Sequence, residues 1–585
     1  MVASTSAFAD VIYKIDIDQP EHHLAKVSVS FPQTNVSQLN VNLPVWRTGK
    51  YAVLPLADGV RNFVAKDEQG QPLHWQRTAS GEWQVALTAP TKVTVTYQLY
   101  ANELGQRVRH IDGTHAYLDA SGVMMYSPMF RDEPVQVALQ VPNGWQSYSG
   151  MAAGDSAHSF TAANYDVLID SPIETGISHH RSFKADGKQY DLVVWGEGNY
   201  DLEQMVTDLN KVTQTSQQIW NGYPFERYLF IVHATSGARG ATEHINSTII
   251  QLPRFNFRER EDYLRFISTA AHEFVHTWNV KAYRPQGLVP YDFQHENMSD
   301  LLWMAEGSTS YFQNQLLLRA GIMTPKEFLE DVAKRIDRNQ QTPGREQQSV
   351  AETSLNEWVA GGGDYARNHS VNIYSEGYLV SMALDYQLLS DTKLKSSYRD
   401  LQQSLYQNFS LPKGYNAADV RGLLQKLSGK DYRAWWQTNV ETPISYDFDK
   451  LLANAGLRTD SGDKQQADFG MQLAGDSLKL SWVARNGAAW QAGIAAGDEL
   501  VAIDGIKVTP KSFAKRVQDF NVGDEVNVSL FVNNTLQTKQ LTVAATAKDK
   551  LALKPVDKPS RAQKAFFKAW LGIDWPFTKD GEFEK

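Results

Sequence analysis

The chain has 585 residues, a net charge of −9, 42% hydrophobic residues and no cysteine. At about 150 residues per domain the length allows three or four domains. The acidic balance and the lack of basic runs argue against a nucleic-acid partner, no apolar stretch reaches the ~18 residues of a membrane span, and the missing cysteines exclude disulfides, thiolate-bound zinc and thiol catalysis.

Ala3-Ser-Thr-Ser-Ala-Phe-Ala-Asp10 carries small residues of the kind found at a signal-peptidase site, with no charged or apolar region before it. Together with the missing cysteines this suggests a periplasmic or secreted protein and leaves the cytoplasm open. Residues 10–182 read as a β-sandwich: runs such as Lys92 to Tyr100 alternate apolar and polar residues between Gly, Pro and Asn turns. Residues 183–456 read as one catalytic domain, first mixed strands, then helices. Tyr228 to Val232 is a buried strand, and Thr248 to Leu252 an edge strand carrying on from Glu243, where an extended peptide could pair.

The stretch Asp262 to Asn279 has helical periodicity, with Phe266, Ile267, Ala270, Phe274 and Trp278 as an apolar stripe and Thr269, His272, His276 and Asn279 on another face. It contains His272-Glu273-Phe274-Val275-His276, an HExxH motif. Positions i and i+4 share a helix face, so both imidazoles reach one zinc ion while Glu273 holds and deprotonates a water there. A random chain of this length and composition would show the motif roughly 0.02 times. A catalytic zinc takes three protein ligands and leaves a position for water. Two carboxylates compete for the third place. Spacing favours Glu296; local structure favours Glu306, inside a helix that Ser299 opens and that runs from Asp300 to Ala320 before Gly321 and Pro325.

Thr324-Pro-Lys-Glu327 is a capping box with Pro at the first helical position. Gly361-Gly-Gly363 reads as a turn or a lid. Arg458 to Gln466 is a polar linker. Residues 466–546 follow, where Phe469-Gly470-Met471 and Ala492-Gly-Ile-Ala-Ala-Gly-Asp-Glu-Leu-Val-Ala-Ile-Asp-Gly505 resemble a PDZ domain. Such a groove accepts a peptide strand; the other reading is a domain that packs internally on the catalytic body. Residues 556–585 form a tail with a helix from Arg561 to Leu571, whose apolar face is Ala565, Phe566, Ala569 and Trp570 and which docks onto the protein.

His272-Glu-Phe-Val-His-Thr-Trp-Asn-Val-Lys281 with Arg284-Pro285, followed by Leu302-Trp-Met-Ala-Glu-Gly-Ser-Thr-Ser-Tyr311, resembles the glycyl aminopeptidase family of zinc metallopeptidases. The resemblance implies Glu306 as third ligand and one zinc per chain. Gly240-Ala241-Thr242-Glu243-His244 is similar to the family's substrate strand, which implies that Glu243 receives the free amine and that the small residues before it let the substrate approach. Tyr374-Ser-Glu-Gly377 is similar to a motif whose Tyr stabilises the tetrahedral intermediate; Glu376 stands in place of Lys. Trp46-Arg-Thr-Gly-Lys-Tyr51 with Val60-Arg-Asn-Phe63 is like the family's N-terminal signature, with Thr48 in place of Pro.

The resulting expectation is a multidomain α+β protein: N-terminal β-sandwich, thermolysin-like catalytic domain with a helical half, PDZ domain and short C-terminal helix. Its expected activity is zinc-dependent removal of N-terminal residues, small ones by the resemblance, from peptide substrates. A zinc endopeptidase of the same fold and a non-catalytic PDZ-bearing binding protein are the alternatives. N-terminally blocked peptides discriminate the first, zinc content the second.

Overall fold

The computed structural model describes residues 10–584. The small-residue stretch read as a signal-peptidase site lies, up to Ala9, outside them. The chain forms two compact units. One is built on the residues up to Met298 with Phe312–Ile322 and Gln402–Tyr415; the other is built on Ser299–Tyr311, Met323–Leu401 and Asn416–Lys585.

In the first unit the alternating run becomes strand Thr91–Tyr100, with Val93, Val95, Tyr97 and Leu99 buried. It belongs to a seven-stranded sheet that also holds Val60–Lys66. Phe63 of that sheet stacks at 5.4 Å on Trp83 of a three-stranded sheet, so the apolar faces of the two sheets meet as in a sandwich. A four-stranded sheet carries the hairpin of Arg109–Ile111 and His115–Leu118.

The next sheet has five strands, in the order Ser178–Ala185, Lys188–Trp195, Arg227–Thr235, Ser247–Pro253 and Gly240–Glu243. The expected edge strand around Thr248 to Leu252 is therefore internal, parallel to Arg227–Thr235 and antiparallel to Gly240–Glu243, which is the edge. Its residues from Ser247 to Leu252 are all buried, so both faces are covered and no alternation marks it. Helix Arg260–His276 packs on these last two strands, and Phe266, Ile267, Ala270, Phe274 and Trp278 are fully buried. The helix ends at His276 and not at Asn279. The chain turns there, with the Lys281 N–H returning to the His276 carbonyl at 3.0 Å.

In the second unit helix Ile373–Asp391 packs against Pro325–Gln340, Val350–Asn356, Ala417–Ser428 and Arg561–Leu571. The Thr324–Glu327 capping box is formed. Gly377 lies against Gly307: a Cβ on Gly307 would come within 2.4 Å of the Gly377 backbone. The polar linker is partly strand. Leu457–Asp460 pairs with Ala552–Pro555, and Gln465–Asp468 pairs with Ala544–Ala547. Main-chain pairing with mostly uncovered side chains leaves no apolar pattern to read.

The PDZ-like region encloses its own core around Phe469, Leu480, Ile494, Leu500 and Val528. It also packs on the helical part. The Val483 N–H donates to Asp364 Oδ1 at 2.9 Å, Asn368 donates to the Val483 carbonyl at 2.8 Å, and Arg367 lies 3.7 Å over the Trp482 ring. The Gly361–Gly363 run leads directly into the short helix that makes these contacts, Gly363–His369. Strand Met471–Leu473 pairs with Leu480–Val483 along one side, and no other strand among the described residues pairs with it. In the C-terminal helix the buried face is Phe566, Phe567, Trp570 and Leu571, with Ala565 exposed. The larger side chains take the packed side because they remove more apolar surface from water. Trp570 Nε1 donates to the Tyr311 hydroxyl at 2.8 Å.

Glu376 is buried in this unit and accepts from Asn339 Nδ2 at 2.7 Å, and burial pushes its pKa up to about 7. An acid whose folded pKa exceeds its unfolded value supports folding below the unfolded pKa and loses that support as pH rises through the folded one. Glu376→Gln should therefore leave stability near pH 4 little changed and raise it at pH 8 by about 3 kcal/mol. Denaturant midpoints at the two pH values measure this, and an equal change at both would refute it.

Candidate active site

The HExxH helix presents its two imidazoles in a defined tautomer. His272 Nδ1 lies 2.6 Å from Gln313 Oε1, and His276 Nδ1 lies 2.8 Å from the Asn279 carbonyl. Both partners are acceptors, so each Nδ1 carries the hydrogen and each Nε2 keeps a lone pair. The two Nε2 atoms face one another at 3.0 Å. Two lone pairs at that distance repel, and a cation between them removes the repulsion. A tetrahedral zinc at ~2.0–2.1 Å from each nitrogen would hold them about 3.3 Å apart. The residues present fit a zinc ion. Gln313 is itself fixed, donating to Ser268 Oγ at 2.7 Å, while Ser268 donates to Asn314 Oδ1 at 2.6 Å.

Glu273 is buried, and one ligand-type atom from each of Glu273, His276 and Glu243 lies within 4.8 Å of the others. Glu243 ends the edge strand, and its Oε1 is buried with no hydrogen-bond partner. The nearest cation is Lys281, whose Nζ is 3.8 Å from Glu243 Oε1 and 2.8 Å from Asp170 Oδ1. Burial alone would push the Lys281 pKa down; Asp170 and Glu243 overcome this and raise it. Burial would push the Asp170 carboxyl up, but Lys281 and His244 hold it well below the usual carboxylate range. One ammonium thus faces two carboxylates, and the surplus negative charge sits at Glu243.

The N-terminal signature reaches the same place. Thr48, standing where Pro is usual, donates to Asp170 Oδ1 at 3.1 Å. Gly49 has φ +78°, and a Cβ there would lie 2.3 Å from Glu243 Oε2, so only glycine lets the backbone close over this carboxylate. Alternate positions on the edge strand look the other way: Arg107 Nε donates to Thr242 Oγ1 at 3.2 Å, and its guanidinium occupies the space a Gly240 side chain would need. Ala241 is half-buried on the Glu243 side of the strand.

Glu296 is exposed, in a loop that Asn297 pins through the Asp292 and His295 carbonyls, and it joins no metal-capable group among the described residues. Glu306 is buried on helix Leu302–Arg319, two turns before Gln313 and on the same face. Tyr374 is half-buried in the first turn of helix Ile373–Asp391, whose amides Asn372 caps. Sequence reading gave no role to Lys281, Asp170, Gly49 or Gln313. A lysine inside the Trp-Asn-Val-Lys run, between buried aromatics, was the one available signal.

A profile described as the peptidase M61 N-terminal domain matches residues 12–177, one described as M61 glycyl aminopeptidase matches 265–380, and a PDZ domain profile matches 480–522. No curated protein sequence matches the chain. Among solved structures, an aminopeptidase N family protein from Idiomarina loihiensis is 27% identical, with a TM-score of 0.88 over 96% of this chain and 100% of that one. An M1 zinc metallopeptidase mutant from Deinococcus radiodurans, bound to a Tyr-Ser-Ala substrate, is 13% identical with a TM-score of 0.50 over 75% of this chain and 95% of that one, a likeness of fold. With its N-terminal, peptidase and PDZ segments in this order, the chain belongs to the M61 glycyl aminopeptidase family of metallopeptidases, a membership that implies zinc.

Proposed function

We propose that the protein is a zinc aminopeptidase that removes small N-terminal residues, glycine and alanine, from peptides. The observation that carries this reading is the buried Glu243 oxygen without a hydrogen-bond partner, near Glu273 and His276. A buried carboxylate that no donor satisfies is costly to maintain, and a substrate ammonium satisfies it. An endopeptidase, whose substrate runs past the metal on both sides, has no use for such a group.

His272, His276 and Glu306 are the proposed ligands of one catalytic zinc. Helix register supports Glu306. Helix Leu302–Arg319 carries Glu306 two turns before Gln313, the residue that holds His272. A zinc ion held by His272, His276 and Glu306 would supply a Lewis acid for the scissile carbonyl and for water. Glu273 takes the water proton on its carboxylate and later delivers it to the leaving amine nitrogen. Tyr374 donates its hydroxyl hydrogen to the oxygen on which charge develops; the close passage of Gly307 past Gly377 sets the turns carrying Glu306 and Tyr374 against each other. The outer main-chain edge of Gly240, Ala241 and Thr242 pairs with the extended substrate. In the PDZ-like region the open edge of Met471–Leu473 accepts a second peptide strand.

Two measurements separate the roles. Glu273→Gln should keep zinc and lose at least 100-fold in kcat, roughly the lower end of general-base contributions, whereas Glu306→Ala should lose zinc as well. Normal turnover in Glu273→Gln, or full zinc retention in Glu306→Ala, would overturn the assignment. Glu243→Ala should cut kcat/KM for free-amine glycyl substrates at least ~10-fold, the effect of losing a charged hydrogen bond. Residual cleavage of N-acetylated peptides should hardly change. Equal losses on both substrates would make Glu243 structural and favour the endopeptidase.

A further inference from the structure

We propose that the chain carries a second divalent-metal site, formed by His110, Asp112 and His115 and sharing no residue with the HExxH centre. One ligand-type atom from each of the three lies within 4.8 Å of the others.

The hairpin of Arg109–Ile111 and His115–Leu118 brings the residues together. Its turn is held by Asp112 Oδ1, which accepts from the Thr114 N–H at 2.7 Å and the His115 N–H at 3.1 Å. The other oxygen, Oδ2, lies 3.2 Å from His110 Nε2. This is the separation of two donors on one tetrahedral zinc, about 3.3 Å.

His115 supplies the stronger argument, because a relay of hydrogen bonds decides its tautomer. Gln251 Nε2 donates to the Leu104 carbonyl at 2.8 Å and lies 3.3 Å from His233 Nδ1, which accepts. His233 Nε2 then carries the hydrogen and donates to Glu174 Oε2 at 2.9 Å. Glu174 Oε1 accepts from His115 Nδ1 at 3.0 Å. The lone pair of His115 is thereby forced onto Nε2, and this atom is buried without a hydrogen-bond partner. Trp195 stacks on the ring at 3.5 Å and 14°, and its Nε1 donates to Thr114 Oγ1 at 3.0 Å, so the ring cannot turn to find a donor.

A carboxylate that orients an imidazole through Nδ1 while Nε2 points at a cation is the arrangement that supports metal-binding histidines. For His110 to ligate through Nε2, its hydrogen moves from Nε2 to Nδ1, a buried atom with no hydrogen-bond partner, which leaves the Nε2 lone pair and Asp112 Oδ2 to the ion. The Asp112 side chain is 28% exposed, which gives the ion access to solvent and a water ligand. Two imidazoles and one carboxylate suit zinc, with nickel and copper as competitors.

The test is metal stoichiometry on the full chain. Chelator-stripped protein is dialysed against zinc and the bound metal counted by mass spectrometry. Wild type should hold two equivalents. His110→Ala and Asp112→Asn should each hold one and keep peptidase turnover. The His272→Ala/His276→Ala double variant should hold one and lose turnover. A single equivalent in wild type, or a second equivalent that persists in both His110→Ala and Asp112→Asn, overturns the site. Zinc-edge anomalous scattering from wild-type crystals is independent of how the variants fold. A peak between His110, Asp112 and His115 supports the proposal, and its absence at saturating zinc refutes it.

Discussion

A lysine whose side chain has no exposed surface holds three distant stretches of the chain in place. Burying an ammonium costs several kcal/mol unless well-placed carboxylates offset it. Lys281 stands in the turn that follows the HExxH helix, Asp170 comes from the N-terminal region, and Glu243 ends the edge strand of the five-stranded sheet. Moving any one of them leaves charge uncompensated in a buried setting, a loss of about 3–5 kcal/mol for a broken buried pair. The strength of the arrangement is in its imbalance. Asp170 holds Lys281 at 2.8 Å, and Glu243 stands off at 3.8 Å, near enough to be positioned and too far to be consumed.

The same economy governs the two histidines of the HExxH helix. The chain leaves the helix at His276, and the carbonyl of Asn279 returns to His276 Nδ1. His272 is set by Gln313 on the antiparallel neighbour. Each Nε2 is therefore aimed by the hydrogen on the opposite side of its ring. Because Gln313 and Glu306 lie on one face of one helix, the element that orients the first histidine also carries the carboxylate two turns away.

Much of this was legible in the sequence because it is local. The i, i+4 histidines, the capping box at Thr324 and the alternating strand at Thr91–Tyr100 are patterns written within a few residues. What was not legible depends on distant partners. Ser247–Pro253 looked like an edge because its outer neighbour, Gly240–Glu243, is only four residues long. Leu457–Asp460 looked like a linker because its partner begins at Ala552. The C-terminal face was misplaced by one position, since helical periodicity alone does not distinguish Ala565 from Phe567 until the surface they meet is known. Lys281 carried no role in any pattern; its meaning comes from Asp170, far away in sequence. The His110–His115 hairpin gave no signal either, since its relay runs through Glu174, His233 and Gln251 on separate strands.

The N-terminal β-region is then more than a wall beside the HExxH helix. Through Asp170 it shares the one ammonium that lies near Glu243. Were Asp170 neutral, Lys281 would have one anionic neighbour left, and Glu243 would close from 3.8 Å to a direct ion pair. Its oxygen would then be satisfied within the protein, and a substrate ammonium would have to compete with a pre-formed salt bridge. Asp170→Asn keeps the shape of the side chain, so this is a test of charge. It should raise KM for free-amine glycyl substrates at least ~10-fold, the equivalent of one charged hydrogen bond. Zinc content should be unchanged, kcat should fall less than KM rises, and cleavage of N-acetylated peptides should be insensitive. A variant with wild-type KM and an intact fold by circular dichroism would show that Glu243 is held by something other than this lysine.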